Sequence, residues 1–451
     1  MKPDAAARTG MGGAGHGAGG GVRGGAALRA RFLRWYQPLV LGLALLVIYA
    51  NLPIYLYILQ PALLPKYAFF GIFVLLVPVV WLRRGELGEY ARSPFALWAA
   101  LLLLLNLIHL LGLSPSTDLG DIYLVDDRTE ARRALVLTRI QYVLFALALG
   151  FAARGQGRGR RAIWLAAPVL LAALIPAAVL LDFAQPGLLY PIDTPGAVLG
   201  RAAAMFINPN MAGEAILLVF LLGCAITPER WRGPLFLLCG AGILTTFSRA
   251  AILAWVLLLV VLSARRTLPK SALASALAAL ALAVACLGTF ENYLQGRAEF
   301  EGAASNLASR LNFFSDVKFD DDSSEERAAV VRAGWQLFLQ NPVFGAGAGA
   351  TGFWSLRAST HNQLLLLAAE YGMFGVGLWC WLLAILWRGR FFADRTLQFA
   401  VAVLFVYMSM FTHQMLDSAS YWLATFALVS TSCPGASVRP GAVRGRQEKE
   451  D

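Results

Sequence analysis

The chain has 451 residues, of which 58% are hydrophobic and 14% charged, and its mean hydropathy is +0.62. Soluble domains carry about 25% charged residues, so the composition excludes a soluble globular protein and predicts an all-α, polytopic integral membrane protein. The net charge of +11 reads as a topology signal, since Lys and Arg near span ends are retained in the cytoplasm, and no nucleic-acid partner is expected from it.

Residues 1–28, with the run GGAGHGAGGGVRGG, are too poor in large apolar groups to fold. A disordered, basic cytoplasmic tail is expected over 1–34, followed by a first span kept as an uncleaved anchor. Apolar runs of bilayer length, about 17 to 25 residues, lie near 38–59, 67–82, 94–112, 135–153, 162–184 and 205–226. Six more lie near 234–247, 250–264, 271–289, 362–387, 396–413 and 418–433, giving about twelve transmembrane helices. The expected organisation is helices 1–9 over 35–289, a long periplasmic loop over 290–361, helices 10–12 over 362–433 and a cytoplasmic tail over 434–451.

The inner loops are basic under this arrangement, with Arg83-Arg84, Arg158 and Arg160-Arg161, Arg265-Arg266, and Arg388 with Arg390. Merging the runs on either side of Phe247-Ser248-Arg249 would put Arg265-Arg266 outside, the costlier choice. Cys224, Cys239, Cys286, Cys380 and Cys433 all sit in or beside apolar runs, without disulfide or metal spacing.

On the outer face, the loop near 60–66 has no acid, while 113–134 gathers Asp118, Asp121, Asp126, Asp127 and Glu130 beside Arg128, Arg132 and Arg133. Hard cations need several converging oxygens, and such a loop is more often simply solvated, so no metal ligands are assigned. The next outer loop ends in Gly200-Arg201 ahead of FINPNMAGE. A lone boundary arginine commonly snorkels to headgroups, but Asn208-Pro209-Asn210 predicts a helix that starts late or breaks, which is tolerated only against protein or a wet cavity. Glu214, one turn on, is expected to face the bundle interior. In the tight turn that follows, Arg249 needs an anion, a carbonyl or a headgroup.

Within 290–360 lie Arg310, the run Asp320-Asp321-Asp322, and a helix expected to start at a capping box, Ser323 with Glu326, and to stop at Asn341-Pro342. Val331, Trp335 and Phe338 along one side predict an amphipathic helix lying on the membrane domain, with Arg327 and Arg332 riding on it. Gly345, Gly347 and Gly349 would let backbone N–H groups approach phosphate. No strand precedes them and no Lys follows as in a nucleotide loop, so the expectation is a turn close to His361 or to a lipid-linked phosphate. His361, which titrates near neutral pH, opens the tenth span. Of the other histidines, His16 is in the tail, His109 reads as a satisfied core residue, and His413 at the outer end of the eleventh span is a supporting candidate.

Arg327, then NPVFGAGAGATGF, then His361-Asn362-Gln363-Leu364-Leu365, then Ala369-Glu370-Tyr371-Gly372-Met373-Phe374-Gly375 resembles the shared C-terminal motif of the O-antigen ligase and O-antigen polymerase superfamily. Ser248-Arg249 and the stretch from Arg201 to Asn210 are similar to its two upstream arginine regions. The resemblance implies transfer of a glycan from an undecaprenyl-pyrophosphate carrier to an acceptor hydroxyl, such as that of lipid A-core, on the periplasmic face of the bacterial inner membrane, without metal, cofactor or nucleotide sugar. It implies His361 as general base, and Arg249 and Arg201 as partners of the leaving pyrophosphate. Arg310, Arg327, Arg332, Asn362, Asn208, Asn210 and His413 are expected to bind substrate, and Glu370 to be structural. A ligase-like member is favoured; a polymerase, a protein O-oligosaccharyltransferase or, more remotely, a lipid-linked glycan transporter are the alternatives.

Overall fold

A computed structural model describes residues 20–112, 118–119, 122–123, 129–197, 200–285, 322–356, 359–413, 415–417 and 419–431. Arg310, the acids 121, 126, 127, 320 and 321, Cys286, Cys433 and His16 lie outside these residues.

Each of the twelve expected segments contains a helix. The first holds α1 (Gly20–Tyr49) and α2 (Leu52–Leu59), broken at Asn51, and the next hold α3 (Pro65–Leu82), α5 (Pro94–Leu110), α6 (Thr129–Ala153), α7 (Arg158–Ala184) and α8 (Pro209–Gly223). A short α4 (Leu87–Ala91) precedes α5. Then follow α9 (Glu229–Thr245), α10 (Arg249–Ala264), α11 (Lys270–Ala285), the loop helix α12 (Asp322–Gln340), α13 (Gln363–Arg388), α14 (Arg395–Ser409) and α15 (Ser420–Val429). The departure from an all-α fold is a two-residue ladder in which Asp118–Leu119 pairs antiparallel with Ile122–Tyr123.

Length sorts these helices. Five are long and apolar enough to cross a membrane, and α4 with α5, bent by 78°, would make a sixth. Helices α8 and α14 have 15 residues each and α15 has 10. At 1.5 Å per residue these reach only about 15 to 22 Å against a hydrocarbon core of about 30 Å. These helices are therefore shorter than a bilayer crossing, and irregular segments lie before α8 and between α14 and α15.

Two element boundaries and one buried face differ from expectation. Helix α1 begins at Gly20, inside the segment assigned to a disordered tail, because Ala26, Ala27 and Ala30 favour helix. Helix α12 starts at Asp322, which puts Ser323 in its first turn instead of at the cap. Its buried face is also different: Val330, Ala333 and Leu337 pack on Ala346, Ala350, Trp354 and Ala369, while Val331 and Trp335 are 43% and 52% exposed. Close docking selects the small side, since a Cβ at Gly334 would press on Thr360 and Leu365.

The core is organised around α8, in which every residue except Asn210 is buried. Helices α9 and α10 form a hairpin: Trp255 stacks on Phe236 with ring centroids 5.2 Å apart and donates its indole N–H to the Phe236 carbonyl at 3.2 Å. The turn at Thr246–Ser248 thus separates two helices that a single long apolar run would have fused.

Candidate active site

Arg201 sits in the irregular segment that leads into α8. Asp182, near the end of α7, fixes this segment by accepting the Ala203 and Ala204 N–H groups at 2.9 Å each and the Tyr190 hydroxyl at 3.3 Å. Arg201 Nε then donates to the Thr246 carbonyl at 2.9 Å, and Nη2 donates to Asn210 Oδ1 at 3.1 Å. The same Asn210 oxygen accepts the Ser248 hydroxyl at 2.8 Å. Ser248 caps α10, so Arg249 is the first residue of that helix. Asn208 caps α8 through the Asn210 N–H at 2.9 Å, which is the late helix start that Asn208-Pro209-Asn210 predicts. Arg201, Asn210 and the Ser248-Arg249 turn are therefore one hydrogen-bonded unit.

The second unit is a histidine pair. His361 precedes Asn362, whose side chain caps α13 by accepting the Leu365 N–H at 2.9 Å. The His361 ring meets His413 edge to face, with centroids 5.1 Å apart and planes at 81°. His413 lies between α14 and α15, and its Nδ1 is buried without a hydrogen-bond partner. Burial, reinforced by the neighbouring His361, pushes its pKa down from 6.5 to about 4, so it is neutral at physiological pH.

Between these units runs a buried polar chain. Glu214 on α8 accepts the Trp422 N–H at 3.0 Å and the Tyr421 hydroxyl at 3.1 Å, and Thr412 hydrogen-bonds the same carboxylate. Thr412 adjoins His413, and Glu214 lies one turn from Asn210. The arginine unit and the histidine pair are thereby joined through α8.

Beneath the histidines lies an ion-pair network that the sequence reading passed over. Arg139, on α6 and 1% exposed, grips Asp417 with Nε to Oδ1 at 2.5 Å and Nη2 to Oδ2 at 3.0 Å. Its Nη1 donates to Glu370 Oε2 at 2.5 Å and to the Tyr371 oxygen at 3.1 Å. Glu370 also accepts the Thr351 hydroxyl at 3.0 Å, and Tyr371 donates to Asn106 at 3.0 Å. Glu370 is thus held in a buried ion-pair network. One guanidinium ties α13 to the His413 loop.

The glycine turn packs against a break in α13. Ala346 and Gly347 N–H groups donate to the Ala369 and Glu370 carbonyls at 2.8 and 3.0 Å, and Met373 N–H donates to the Pro342 carbonyl at 2.8 Å. These bonds cross a break in α13 at Gly372, with φ 61° and ψ −141°. A Cβ at Gly345 would strike the Glu370 backbone, and one at Gly372 the Val343 carbonyl. Arg132 closes the turn from outside, donating to the Ala348 carbonyl at 2.7 Å and the Ala346 carbonyl at 3.3 Å. His109 accepts the Ala348 N–H at 2.8 Å, confirming it as a satisfied residue. The glycines let a turn pack against a broken helix, with most of its amide groups committed to protein.

Backbone strain gathers around the arginine and histidine units. Among the described residues, six non-glycine residues have positive φ: Asn51, Ala204, Ile207, Phe247, Arg266 and His361. All but Arg266 lie in or against the segments that carry them, Asn51 through its side-chain bond to the Met205 carbonyl at 3.2 Å. Such conformations cost of order 1–3 kcal/mol each and persist where the surroundings over-determine them.

Of the expected site residues, Arg201, Asn208, Asn210 and Arg249 fall in the first unit, and His361, Asn362 and His413 in the second. Arg332 is exposed on α12, Arg327 is placed only as a position on that helix, and Arg310 lies outside the described residues. Arg139, Asp417 and Glu214 join the assembly without having been assigned to it. A charged residue inside an apolar span is the signal that could have found Arg139. Among the described residues, no three His, Cys, Asp or Glu side chains gather where a cation could be held.

No curated protein matches the chain. Residues 234–380, from α9 through the glycine turn, His361 and the first two-thirds of α13, match the family model described as O-antigen ligase. Over these residues the chain is similar to the O-antigen ligase family, which supports the resemblance to the O-antigen ligase and polymerase superfamily.

Proposed function

We propose that the protein is an O-antigen ligase-like glycosyltransferase that moves a glycan from undecaprenyl pyrophosphate to an acceptor hydroxyl, most naturally that of lipid A-core, at the periplasmic face of the bacterial inner membrane. The observation that carries this reading is the linkage of the Arg201–Asn210–Ser248 unit with the His361–His413 pair through α8, by way of Glu214 and Thr412.

The chemistry follows from charge. As the glycosidic bond breaks, negative charge grows on the pyrophosphate, and guanidinium groups aimed at it in a partly dry site stabilise that charge through charge-assisted bonds. Arg249 and Arg201 take this role, with Arg310 and Arg327 next and Arg332 at the approach. His361 accepts the proton of the attacking hydroxyl. Neutral His413 packs against it without adding a competing positive charge. Asn362, by capping α13, holds the histidine at the helix mouth. A good leaving group needs no separate acid, so a single displacement inverts the anomeric carbon, and the mechanism requires no metal or nucleotide.

The test is reconstitution of the full chain with an undecaprenyl-pyrophosphate glycan and, in separate reactions, lipid A-core, a second lipid-linked repeat unit and a serine-bearing pilin-like protein. Product on lipid A-core alone supports the ligase; elongated lipid-linked glycan or glycosylated protein would reassign the acceptor. Movement of the lipid-linked glycan across liposomes without product on any acceptor would sink the transferase reading.

A further inference from the structure

At the end of α13 opposite His361, 26 residues along the broken helix, a cavity of about 580 Å³ is lined by Trp387, Arg388, Arg390, Arg395, Gln398 and Phe399. None of these is acidic. The neighbouring carboxylate, Asp394, is already committed: it caps α14 through the Thr396 N–H at 2.8 Å and accepts the Thr267 hydroxyl at 3.2 Å. Arg395 donates Nη1 to the Gly389 carbonyl at 2.9 Å, which holds its guanidinium over the turn between α13 and α14. Three arginines therefore border one volume whose lining includes no carboxylate.

A second observation narrows the ligand. Gln398 is 1% exposed. Its amide N–H donates to the Leu386 carbonyl, while its Oε1 is buried without a partner. An orphaned acceptor carries a desolvation cost that a ligand donor would relieve. An occupant with anionic oxygens for the arginines and a hydrogen-bond donor for Gln398 would satisfy both, and beside three arginines a neutral hydroxyl suits better than an ammonium. A carboxylate or a simple phosphodiester offers only the first. A glycerol phosphodiester offers both. Trp387, 58% exposed and edge-on to Phe399 at 5.6 Å, has the amphipathic ring that settles at a headgroup boundary, and basic pockets between membrane helices favour anionic headgroups.

We propose that this cavity binds a glycerol phosphodiester, either as the headgroup of phosphatidylglycerol or as the free glycerophosphodiester, with the arginines on phosphate and Gln398 Oε1 on a glycerol hydroxyl. The site is independent of the glycan-transfer reading. A neighbouring cavity of about 500 Å³ at the Arg34-Trp35 and Arg158–Arg160 segments is also basic, but its lining has no such orphaned acceptor, and it serves as an internal comparison.

The test uses the full chain in phosphatidylcholine nanodiscs doped with phosphatidylglycerol or with phosphatidylethanol, which has the same phosphodiester without a hydroxyl. Retained lipid is read by native mass spectrometry after partial delipidation. Wild type is expected to retain phosphatidylglycerol over phosphatidylethanol by roughly tenfold, a difference of about 1.4 kcal/mol. Gln398→Leu should erase that preference, and R388Q/R390Q/R395Q should erase retention of both; the exposed single variant R390Q should weaken it without touching the fold. R34Q/R158Q/R160Q should leave it unchanged. In detergent, glycerophosphoglycerol raising the melting temperature of wild type but not of R390Q would identify the free diester as a ligand too. Equal retention of the two lipids by wild type, or unchanged retention in the triple arginine variant, would overturn the proposal.

Discussion

His361 and His413 meet edge to face at 5.1 Å, and burial holds His413 neutral, with its pKa pushed down to about 4. Between that value and the ordinary 6.5, the unfolded chain binds a proton that the folded chain refuses. Stability from this site is therefore present above about pH 6.5 and is lost as pH falls toward 4, by on the order of 3 kcal/mol at most. His413→Gln should melt nearer to its neutral-pH temperature when taken to pH 4.5 than wild type does. Equal acid sensitivity of the two proteins in a detergent melting series would contradict the assignment.

For His361, loss of the base should cost about 10² to 10⁴ in transfer rate. His361→Ala is expected to insert, elute as wild type on size exclusion and bind donor, yet transfer glycan at that reduced rate. Full turnover in the reconstituted assay would remove the general-base role.

Arg201→Lys separates charge from geometry, because Arg201 reaches the Thr246 carbonyl and Asn210 at once, a span that a single ammonium does not reproduce. The variant should keep its charge and still lose activity, and Arg249→Ala should lose more. A lysine variant with wild-type kcat/KM would show that positive charge alone suffices there.

Arg139→Met leaves Glu370 and Asp417 buried without their partner, and breaking such a pair costs about 3–5 kcal/mol. A large fall in melting temperature is expected, partly recovered in Arg139→Met with Glu370→Gln and Asp417→Asn. Additive damage in the triple variant would argue against an ion-pair origin.

Gly345→Ala places a Cβ against the Glu370 backbone at φ +75°. About 1–3 kcal/mol of strain, before any clash, should loosen the turn on the α13 break. Limited proteolysis within 341–356, faster than in wild type, would register it.

Much of this was legible in the chain. Twelve apolar segments each yielded a helix, Asn208-Pro209-Asn210 announced the late start of α8, and Glu214 faced inward because a lone carboxylate in an apolar run has nowhere else to go. The α12 face was misread because Val331, Trp335 and Phe338 looked like the packing side. Docking there is decided by what fits against the glycine turn, and small residues win over large ones. The Arg139 network escaped because its carboxylates are 231 and 278 positions away, a separation that periodicity does not encode. The role of Gly345, Gly347 and Gly349 escaped for a related reason: the break at Gly372 that they cover lies inside what reads as one continuous helix.

The same separation bears on how the protein is made. Arg139 emerges from the ribosome on α6 more than two hundred residues before Glu370 and Asp417 exist. An arginine at the centre of a span costs about 2.5–3.5 kcal/mol to insert, so α6 must enter the bilayer either with water drawn around it or still beside the translocation channel. It reaches its resting environment only when α13 and the segment after α14 arrive. Completion of α13 and of the segment after α14 is thus what supplies the partners of Arg139, and chains truncated before Glu370 should be cleared as unassembled, even though α6 is otherwise apolar enough to span.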